Sequence, residues 1–213
     1  MTRACSVLSK SPLLLRDLDL MRELDAVTEF SAALSIPTLD RGAWRATEPR
    51  SPNPRARLDA VAELARAGIR TGVLVAPLMP GINDSPEQVR EVVRLATEAG
   101  AGYISGIALH LRPGVREVFM EWLAAHRPEL ALRYEALYRR GAYMSREERR
   151  RLSALLEGSL LAPRERNSRF CERVRRRSSL ARRLCASRRS LSCSLLSGRE
   201  RGAAGGAVYR WRA

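Results

Sequence analysis

The chain has 213 residues, of which 45% are hydrophobic, so it can bury one good core with an appendage. Its net charge of +15 is uneven, because residues 163–213 contain 15 arginines and 3 glutamates, a net of +12, which leaves about +3 for residues 1–162. The sequence has no apolar run of about 18 residues and no signal peptide before Ser6, so we expect a cytoplasmic protein with no membrane partner.

The first part of the chain predicts two strands. Ala4–Leu8 is short and apolar, and after it Asp17 is placed to cap a helix. Phe30–Ile36 predicts the second strand, which ends at Pro37. The loop that follows, Thr38–Asn53, is longer than a bare connection needs, which indicates a further role.

The middle of the chain repeats the pattern twice. A helix is predicted at Pro54–Ala67, followed by a buried strand at Thr71–Ala76 that the next proline ends. A helix at Ser85–Ala99 follows, with an N-cap serine, a proline at the first helical position and a capping-box glutamine. A fourth strand is predicted at Tyr103–Leu109. Later helices are predicted at Val115–His126, at Glu129–Tyr138 and from Ser145 onward.

This order of elements predicts an α/β fold with about four parallel βα units. Four units do not close a barrel, and they leave Ala4–Leu8 with an uncovered outer edge, so we expect a neighbour to be missing on its N-terminal side. We assign residues 1–160 to this partial barrel. Residues 161–213 are rich in arginine and serine with little periodicity, which predicts a disordered basic tail.

Polar residues follow every predicted strand, and the carboxyl ends of parallel strands share one edge of a sheet. We therefore expect a single polar site there. The residues concerned are Lys10 and Ser11, then Ser35, Asp40 and Glu48, then Asn83 and Asp84, and finally His110 and Arg112.

Each candidate also has a purely structural interpretation, which the sequence leaves open. Lys10 and Ser11 fit a turn, the Ser35 hydroxyl fits a bond to a backbone carbonyl, and Asn83 fits an Asx-turn with Asp84. His110 likewise fits a structural histidine. Glu48 and Arg57 fit a salt bridge with each other as well as ionic contacts with the ammonium and carboxylate of a ligand.

Several segments resemble one enzyme family, and the most specific of them are EPRSPNPRARL from Glu48 and APLMPGIND from Ala76. Together with VLSKSPLLLRDLDLMREL from Val7, LSIPTLD from Leu34 and LHLRPGVREVFMEWLAAHRPEL from Leu109, they resemble the spore-photoproduct-lyase-like group of radical S-adenosylmethionine (SAM) proteins. The resemblance covers about residues 6–155.

The resemblance implies an incomplete (β/α)6 barrel in which a [4Fe-4S] cluster, held by a CxxxCxxC motif, cleaves SAM to a 5'-deoxyadenosyl radical that abstracts hydrogen from a substrate. It implies a reductant such as a flavodoxin or ferredoxin. The substrate stays unknown, and nucleic acid is a candidate, since the lyase relative acts on thymine dimers in DNA repair. The implied SAM-facing residues are Lys10, Ser11, Ser35, Arg57, Asn83 and Asp84, and the substrate-facing residues are His110 and Arg112.

The chain departs from the family at its cysteines, because Cys5, Cys171, Cys185 and Cys193 form no CxxxCxxC. We therefore expect no cluster on this chain and assign no metal ligands. We interpret the chain as the C-terminal part of such an enzyme, from a truncated or frame-shifted reading, and expect it to be inactive alone. The alternative is a nucleic-acid-binding module that acts through the arginine-rich tail.

Overall fold

The computed structural model of the protein describes residues 4–156, which contain one parallel sheet of four strands in sequence order. Each strand is parallel to its neighbour, so the predicted α/β fold is confirmed. The strands are β1 (Cys5–Ser9), β2 (Phe30–Ser35), β3 (Arg70–Leu78) and β4 (Tyr103–Ala108).

Helices connect consecutive strands, as βα units require. They are α1 (Leu18–Val27), α2 (Arg41–Thr47), α3 (Pro54–Arg66), α4 (Pro86–Glu98), α5 (Val115–His126), α6 (Ala131–Leu137) and α7 (Arg146–Ala154), with 3₁₀ helices at Pro12–Asp17 and Pro128–Leu130. Ser85 caps α4 as predicted, because its hydroxyl accepts a hydrogen bond from the backbone N–H of Gln88 at 3.2 Å. Gly68 and Gly100 follow α3 and α4 with φ of +82° and +87°, the conformation that ends helices at glycine.

Three local predictions were wrong. Asp17 does not cap α1; its carboxylate pairs with Arg16 instead. β3 does not end at Ala76 but continues to Leu78, because the register against β4 shifts between Val75 and Leu78, an irregularity that tolerates a proline without an N–H. The long loop after β2 contains a helix, α2, which is too short to show a clear periodicity.

The core lies around the two central strands. Leu34 of β2 and Val73 of β3 are fully buried, and Val61 of α3 and Val92 of α4 belong to the same hydrophobic cluster. Because β2 and β3 are apolar on both faces, they form the rigid centre from which the polar loops extend.

Among the described residues, β1 is an edge strand of the sheet. Within the described part of the chain, β1 pairs with β2 alone. Large apolar side chains of β1 and of the two helices that follow it in the chain are exposed to solvent, including Leu8 (57%), Leu13 (76%), Leu20 (59%) and Val27 (74%). Exposed edges and apolar patches of this kind are surfaces that proteins normally cover.

The predicted basic tail and its three cysteines lie outside the described residues, so the disorder of residues 161–213 stays a prediction. Within residues 4–156, no helix combines the length and the hydrophobicity that crossing a membrane would need.

Candidate functional site

The exits of β2, β3 and β4 lie side by side at the carboxyl edge of the sheet. The Ser35 hydroxyl, at the end of β2, donates to the carbonyl of Ala76 in β3 at 2.8 Å. The backbone N–H of Leu109, after β4, donates to the carbonyl of Leu78 at 3.0 Å. The loops that carry the predicted polar residues therefore start from one edge.

A chain of charges links the exit of β1 to the helix after β2. The ammonium Nζ of Lys10 lies 2.7 Å from Glu48 Oε1, and Arg57 Nη2 lies 2.7 Å from Glu48 Oε2. The Glu48 carboxylate is buried between the two cations, whereas half of the Lys10 side chain is exposed. This edge therefore presents one exposed ammonium that a buried carboxylate holds in place.

Arg57 is the buried end of the Lys10–Glu48–Arg57 chain of charges. It is fully buried, and its three donor nitrogens all bond to the protein: Nε to the Pro52 carbonyl at 2.9 Å, Nη1 to the Ser35 carbonyl at 2.7 Å and Nη2 to Glu48. The guanidinium thus ties the loop before α3 to the end of β2. A buried ion pair needs such additional hydrogen bonds to offset the cost of desolvation.

Glu48 and Arg57 reach this position through local helix geometry. Glu48 directly follows α2, and its N–H donates to the Trp44 carbonyl at 2.8 Å. Arg57 lies in the first turn of α3, which starts at Pro54 after an Asn53 cap. Of the two interpretations that the sequence left open for Glu48 and Arg57, the salt bridge is found, and contact with a ligand stays a prediction.

Asn83 and Asp84 shape the loop after β3. The Asn83 amide is buried; its Oδ1 accepts from Met79 N–H at 2.7 Å, and its Nδ2 donates to the carbonyls of Pro37 and Pro77, each at 2.9 Å. Asp84 accepts from Gly81 N–H at 2.6 Å and forms an ion pair with Arg151 of α7. Both side chains are engaged in holding loops together.

The two candidate serines also make structural bonds. Ser11 Oγ accepts from the Leu13 N–H at 3.2 Å and so caps the 3₁₀ helix after β1, while the Ser35 hydroxyl bonds to Ala76. Of the six predicted SAM-facing residues, Lys10 keeps the charged group that a ligand can reach. Ligand contact by the other five stays a prediction.

His110 and Arg112 lie beside the exit of β4 and away from this chain of charges. The His110 ring stacks on Tyr143, with ring centroids 4.0 Å apart and planes inclined by 15°. Arg112 is exposed. The loop is held by Tyr138, whose hydroxyl donates to the Leu109 carbonyl at 2.6 Å.

Two buried tyrosines support this side of the site. Tyr134 and Tyr138 are fully buried, with ring centroids 6.1 Å apart and planes inclined by 10°. Burial raises the pKa of both phenols, and the nearby Tyr138 and Asp84 raise the pKa of Tyr134 further. Within residues 4–156, the Tyr134 hydroxyl has no hydrogen-bond partner.

The described residues do not fit an iron–sulfur cluster. Three thiolates are needed, and the described chain has one cysteine, Cys5, exposed on β1. No group of three or more His, Cys, Asp or Glu side chains between residues 4 and 156 is placed to hold a metal ion. Of the three charged groups at this edge, the Lys10 ammonium is half exposed, whereas the Glu48 carboxylate and the Arg57 guanidinium are buried and paired.

The sequence did not indicate three features of this region. Two of them are contacts: the Tyr143 ring stacks on His110, and Arg151 pairs with Asp84. The third is the environment of Trp44, whose indole N–H is buried without a partner in the described part of the chain. Each joins residues distant in the chain or depends on burial. No local spacing signals such contacts.

No family model matches the chain. It is 40% identical over 139 residues to an uncharacterised protein of Mycobacterium tuberculosis, a match that covers 65% of this chain and 41% of the relative. It is 32% identical over 119 residues to an uncharacterised protein of Acidianus two-tailed virus, covering 54% of this chain and 38% of that protein. The chain thus spans about two fifths of the length of the curated relatives it matches.

Among solved structures, the chain is similar to spore photoproduct lyase complexed with dinucleoside spore photoproduct. The TM-score is 0.55 at 18% sequence identity, and the match covers 74% of this chain and 48% of that chain. At this identity the likeness establishes the fold alone: four parallel strands alternating with helices, as in that lyase.

Proposed function

We propose that this chain is the SAM-binding part of a radical SAM enzyme of the spore-photoproduct-lyase-like group. The observation that carries the proposal is the ammonium of Lys10, half exposed at the carboxyl edge and held by the buried Glu48–Arg57 pair. The fold likeness to the lyase supports it. When bound, SAM supplies the 5'-deoxyadenosyl group for hydrogen abstraction.

The roles of this chain's own residues follow from their contacts. Lys10 binds the carboxylate of the amino-acid part of SAM, since an exposed ammonium attracts an anion. Glu48 and Arg57 act through Lys10 by fixing its position, and Ser35 and Asn83 hold the neighbouring loops at the edge. In this proposal Ser11 and Asp84 lie beside the SAM site, while His110 and Arg112 face the substrate.

Cluster chemistry is not assigned to this chain. The described residues lack a thiolate set, so SAM cleavage requires cluster ligands and a reductant, such as a flavodoxin or ferredoxin, from elsewhere. Anaerobic reconstitution with iron and sulfide, followed by iron analysis and assay of 5'-deoxyadenosine, tests this assignment. Cluster incorporation with formation of 5'-deoxyadenosine would refute it.

Equilibrium dialysis with radiolabelled SAM tests the binding proposal. We expect the chain to bind SAM and Lys10→Ala to weaken binding by about 10- to 150-fold, the loss of one charge-assisted contact of ~1.5–3 kcal/mol. Arg66→Ala is the matched control, because it removes an exposed cation of α3 on which no candidate site residue depends. The proposal fails if the chain does not retain SAM, or if both variants bind equally.

A second candidate function is supported by the net charge of +12 in residues 163–213. A basic segment of this kind can bind nucleic acid without sequence preference by neutralising phosphates. Deletion of these residues distinguishes the candidates: it abolishes oligonucleotide binding if the tail is the binding module, and it leaves SAM binding unchanged if the SAM site lies in the barrel.

A further inference from the structure

The loop that follows β3 is fastened on two sides. Toward β2, the buried amide of Asn83 donates to the Pro37 carbonyl at 2.9 Å. Toward the C-terminal helices, the Asp84 carboxylate pairs with Arg151 of α7. The position of this loop, which borders the proposed cofactor site, therefore depends on α7 as well as on the sheet.

The tip of the loop packs directly on the segments that follow α5. Gly81 has a φ of +80°, and a Cβ there would lie 2.9 Å from Leu130 Cδ2 and 3.4 Å from Arg133 Nη1. The Gly81 carbonyl accepts a hydrogen bond from Arg127 Nη2 at 3.0 Å. Because no side chain fits between the loop and these segments, a movement of either one displaces the other.

Arg151 joins two carboxylates from distant parts of the chain. Glu148 lies one helical turn before it, at 2.8 Å, whereas Asp84 lies 67 residues earlier in the sequence. Both carboxylate side chains are largely buried, with 16% of Glu148 and 12% of Asp84 exposed. Solvent screens such pairs less than it screens exposed ones, so the contact between Arg151 and Asp84 holds the loop against α7.

The same helix reaches the loop after β4. The guanidinium carbon of Arg149 lies 5.9 Å from the centroid of the Tyr143 ring, and this ring stacks on His110. Arg149 and Arg151 are two residues apart in α7. One helix therefore contacts both the loop beside the proposed cofactor site and the loop that carries the proposed substrate-facing residues.

The sheet anchors α7. Leu152 is buried, and Leu156, just after the helix, packs so closely on β4 that a Cβ at Gly106 would lie 2.1 Å from its Cδ1. Rigid helices of this kind are among the elements that carry energetic coupling between sites. A displacement at Arg151 is therefore expected to reach Arg149.

From these contacts we propose that α7 is a coupling helix, through which the cofactor side and the substrate side of the molecule influence each other. Arg151 is a positioning residue that acts through Asp84, and Arg149 is a positioning residue that acts through Tyr143 on the His110 loop. The identity of the cofactor rests on the proposed function, whereas the coupling between the two loops is a property of the chain without SAM. Coupling is reciprocal, so a change in either loop alters the other.

The first test needs no SAM and uses the two histidines of the full chain as NMR probes. We expect Asp84→Asn to shift the ring signals of His110 and to leave those of His126, at the end of α5, unchanged. Asp59→Asn is the control, since it removes an exposed carboxylate of α3. In an Arg151→Gln background, Asp84→Asn should have no further effect on His110, because the route through α7 is already broken.

The second test measures SAM binding by equilibrium dialysis. We expect Arg151→Gln to raise the Kd about fivefold, and Arg151→Lys to restore most of the affinity because its ammonium can still pair with Asp84. Arg94→Gln is the matched control, since Arg94 also bridges two carboxylates but both belong to α4. Saturating SAM should shift the His110 signals in the parent chain and not in Arg151→Gln.

The two tests separate the coupling from the proposed function. If the parent chain does not retain SAM, the proposed function fails, while the response of His110 to Asp84→Asn still decides whether the loops are coupled. The coupling is refuted if Asp84→Asn leaves the His110 signals unchanged, or if its effect persists undiminished in Arg151→Gln. Equal changes of the Kd in Arg151→Gln and Arg94→Gln would refute the positioning role of Arg151.

Discussion

Arg57 is the residue on which the carboxyl edge depends most. It joins the Pro52 loop, the end of β2 and Glu48 through three hydrogen bonds, and none of its surface is exposed. Its removal takes a hydrogen-bond donor away from two carbonyl groups and from one oxygen of the Glu48 carboxylate. Because unpaired buried groups are costly, this site should respond sharply to substitution.

We expect Arg57→Met to lower the free energy of unfolding by ~3–5 kcal/mol, the usual cost of breaking a buried ion pair. Arg66→Met, which breaks an exposed pair with Glu63, should cost less than about 1 kcal/mol. Urea denaturation followed by circular dichroism measures both. Adding Glu48→Gln to Arg57→Met should recover part of the loss, and similar losses for the two single variants would contradict this view.

The stacked tyrosines offer a second comparison, since only one of the two hydroxyls is bonded within residues 4–156. Tyr138→Phe removes the hydrogen bond to Leu109 and should destabilise the protein by about 1 kcal/mol. Tyr134→Phe removes a buried hydroxyl without a partner and should be neutral or stabilising. Thermal unfolding of the two variants tests the order, and a larger loss for Tyr134→Phe would reverse it.

The same tyrosines should make the protein less stable at alkaline pH. Their folded pKa values are raised above the unfolded value of about 10, so their contribution is complete below that pH. Above it the unfolded chain releases phenolic protons that the native state retains, and the free energy of unfolding falls. Urea midpoints at about pH 9 and about pH 11 should show this fall, and it should be smaller in Tyr134→Phe.

At the scale of elements, close packing of α7 against β4 depends on a glycine. A Cβ at Gly106 would lie 2.1 Å from Leu156, a buried side chain just after α7. We expect Gly106→Ala to cost ~1–3 kcal/mol by overpacking and to speed amide exchange in α7. Gly102→Ala is the control, because its Cβ would meet the Thr71 carbonyl at an ordinary 3.5 Å.

The cost of Gly106→Ala should shrink in a Leu156→Ala background, where the contact at 2.1 Å is absent and that with Leu78 at 3.1 Å remains. A double-mutant cycle measures this coupling. Additive losses would show that the contact between β4 and the end of α7 is not the cause.

The limits of sequence-based prediction also differ between elements. Ser85, Pro86 and Gln88 predicted the start of α4 because capping and proline chemistry act over a few residues. The stacking of His110 on Tyr143 and the pairing of Asp84 with Arg151 depend on how α6 and α7 return to the sheet. The positions of polar residues at one edge were therefore predictable, whereas their partners were set by tertiary packing.

At the scale of the molecule, the position of β1 at the edge of the described sheet predicts self-association. Leu8 on the edge strand is 57% exposed, and Leu132 of α6 is 80% exposed but is not part of a strand. We expect the chain to associate in a concentration-dependent way and Leu8→Lys to reduce association more than Leu132→Lys, because charges on an edge strand block pairing. Light scattering after size-exclusion chromatography measures the difference, and equal effects would locate the contact elsewhere.

The position of β1 at the edge of the sheet also affects how often the proposed cofactor site is intact. A strand hydrogen-bonded along one side detaches from its sheet more readily than the central strands do. Lys10 directly follows this strand, so each detachment carries its ammonium away from Glu48 and dismantles the anion site for as long as the opening lasts. If the chain binds SAM as proposed, its affinity depends in part on how often β1 detaches, and saturating SAM should slow amide exchange at Val7 and Leu8 before it alters exchange in β3.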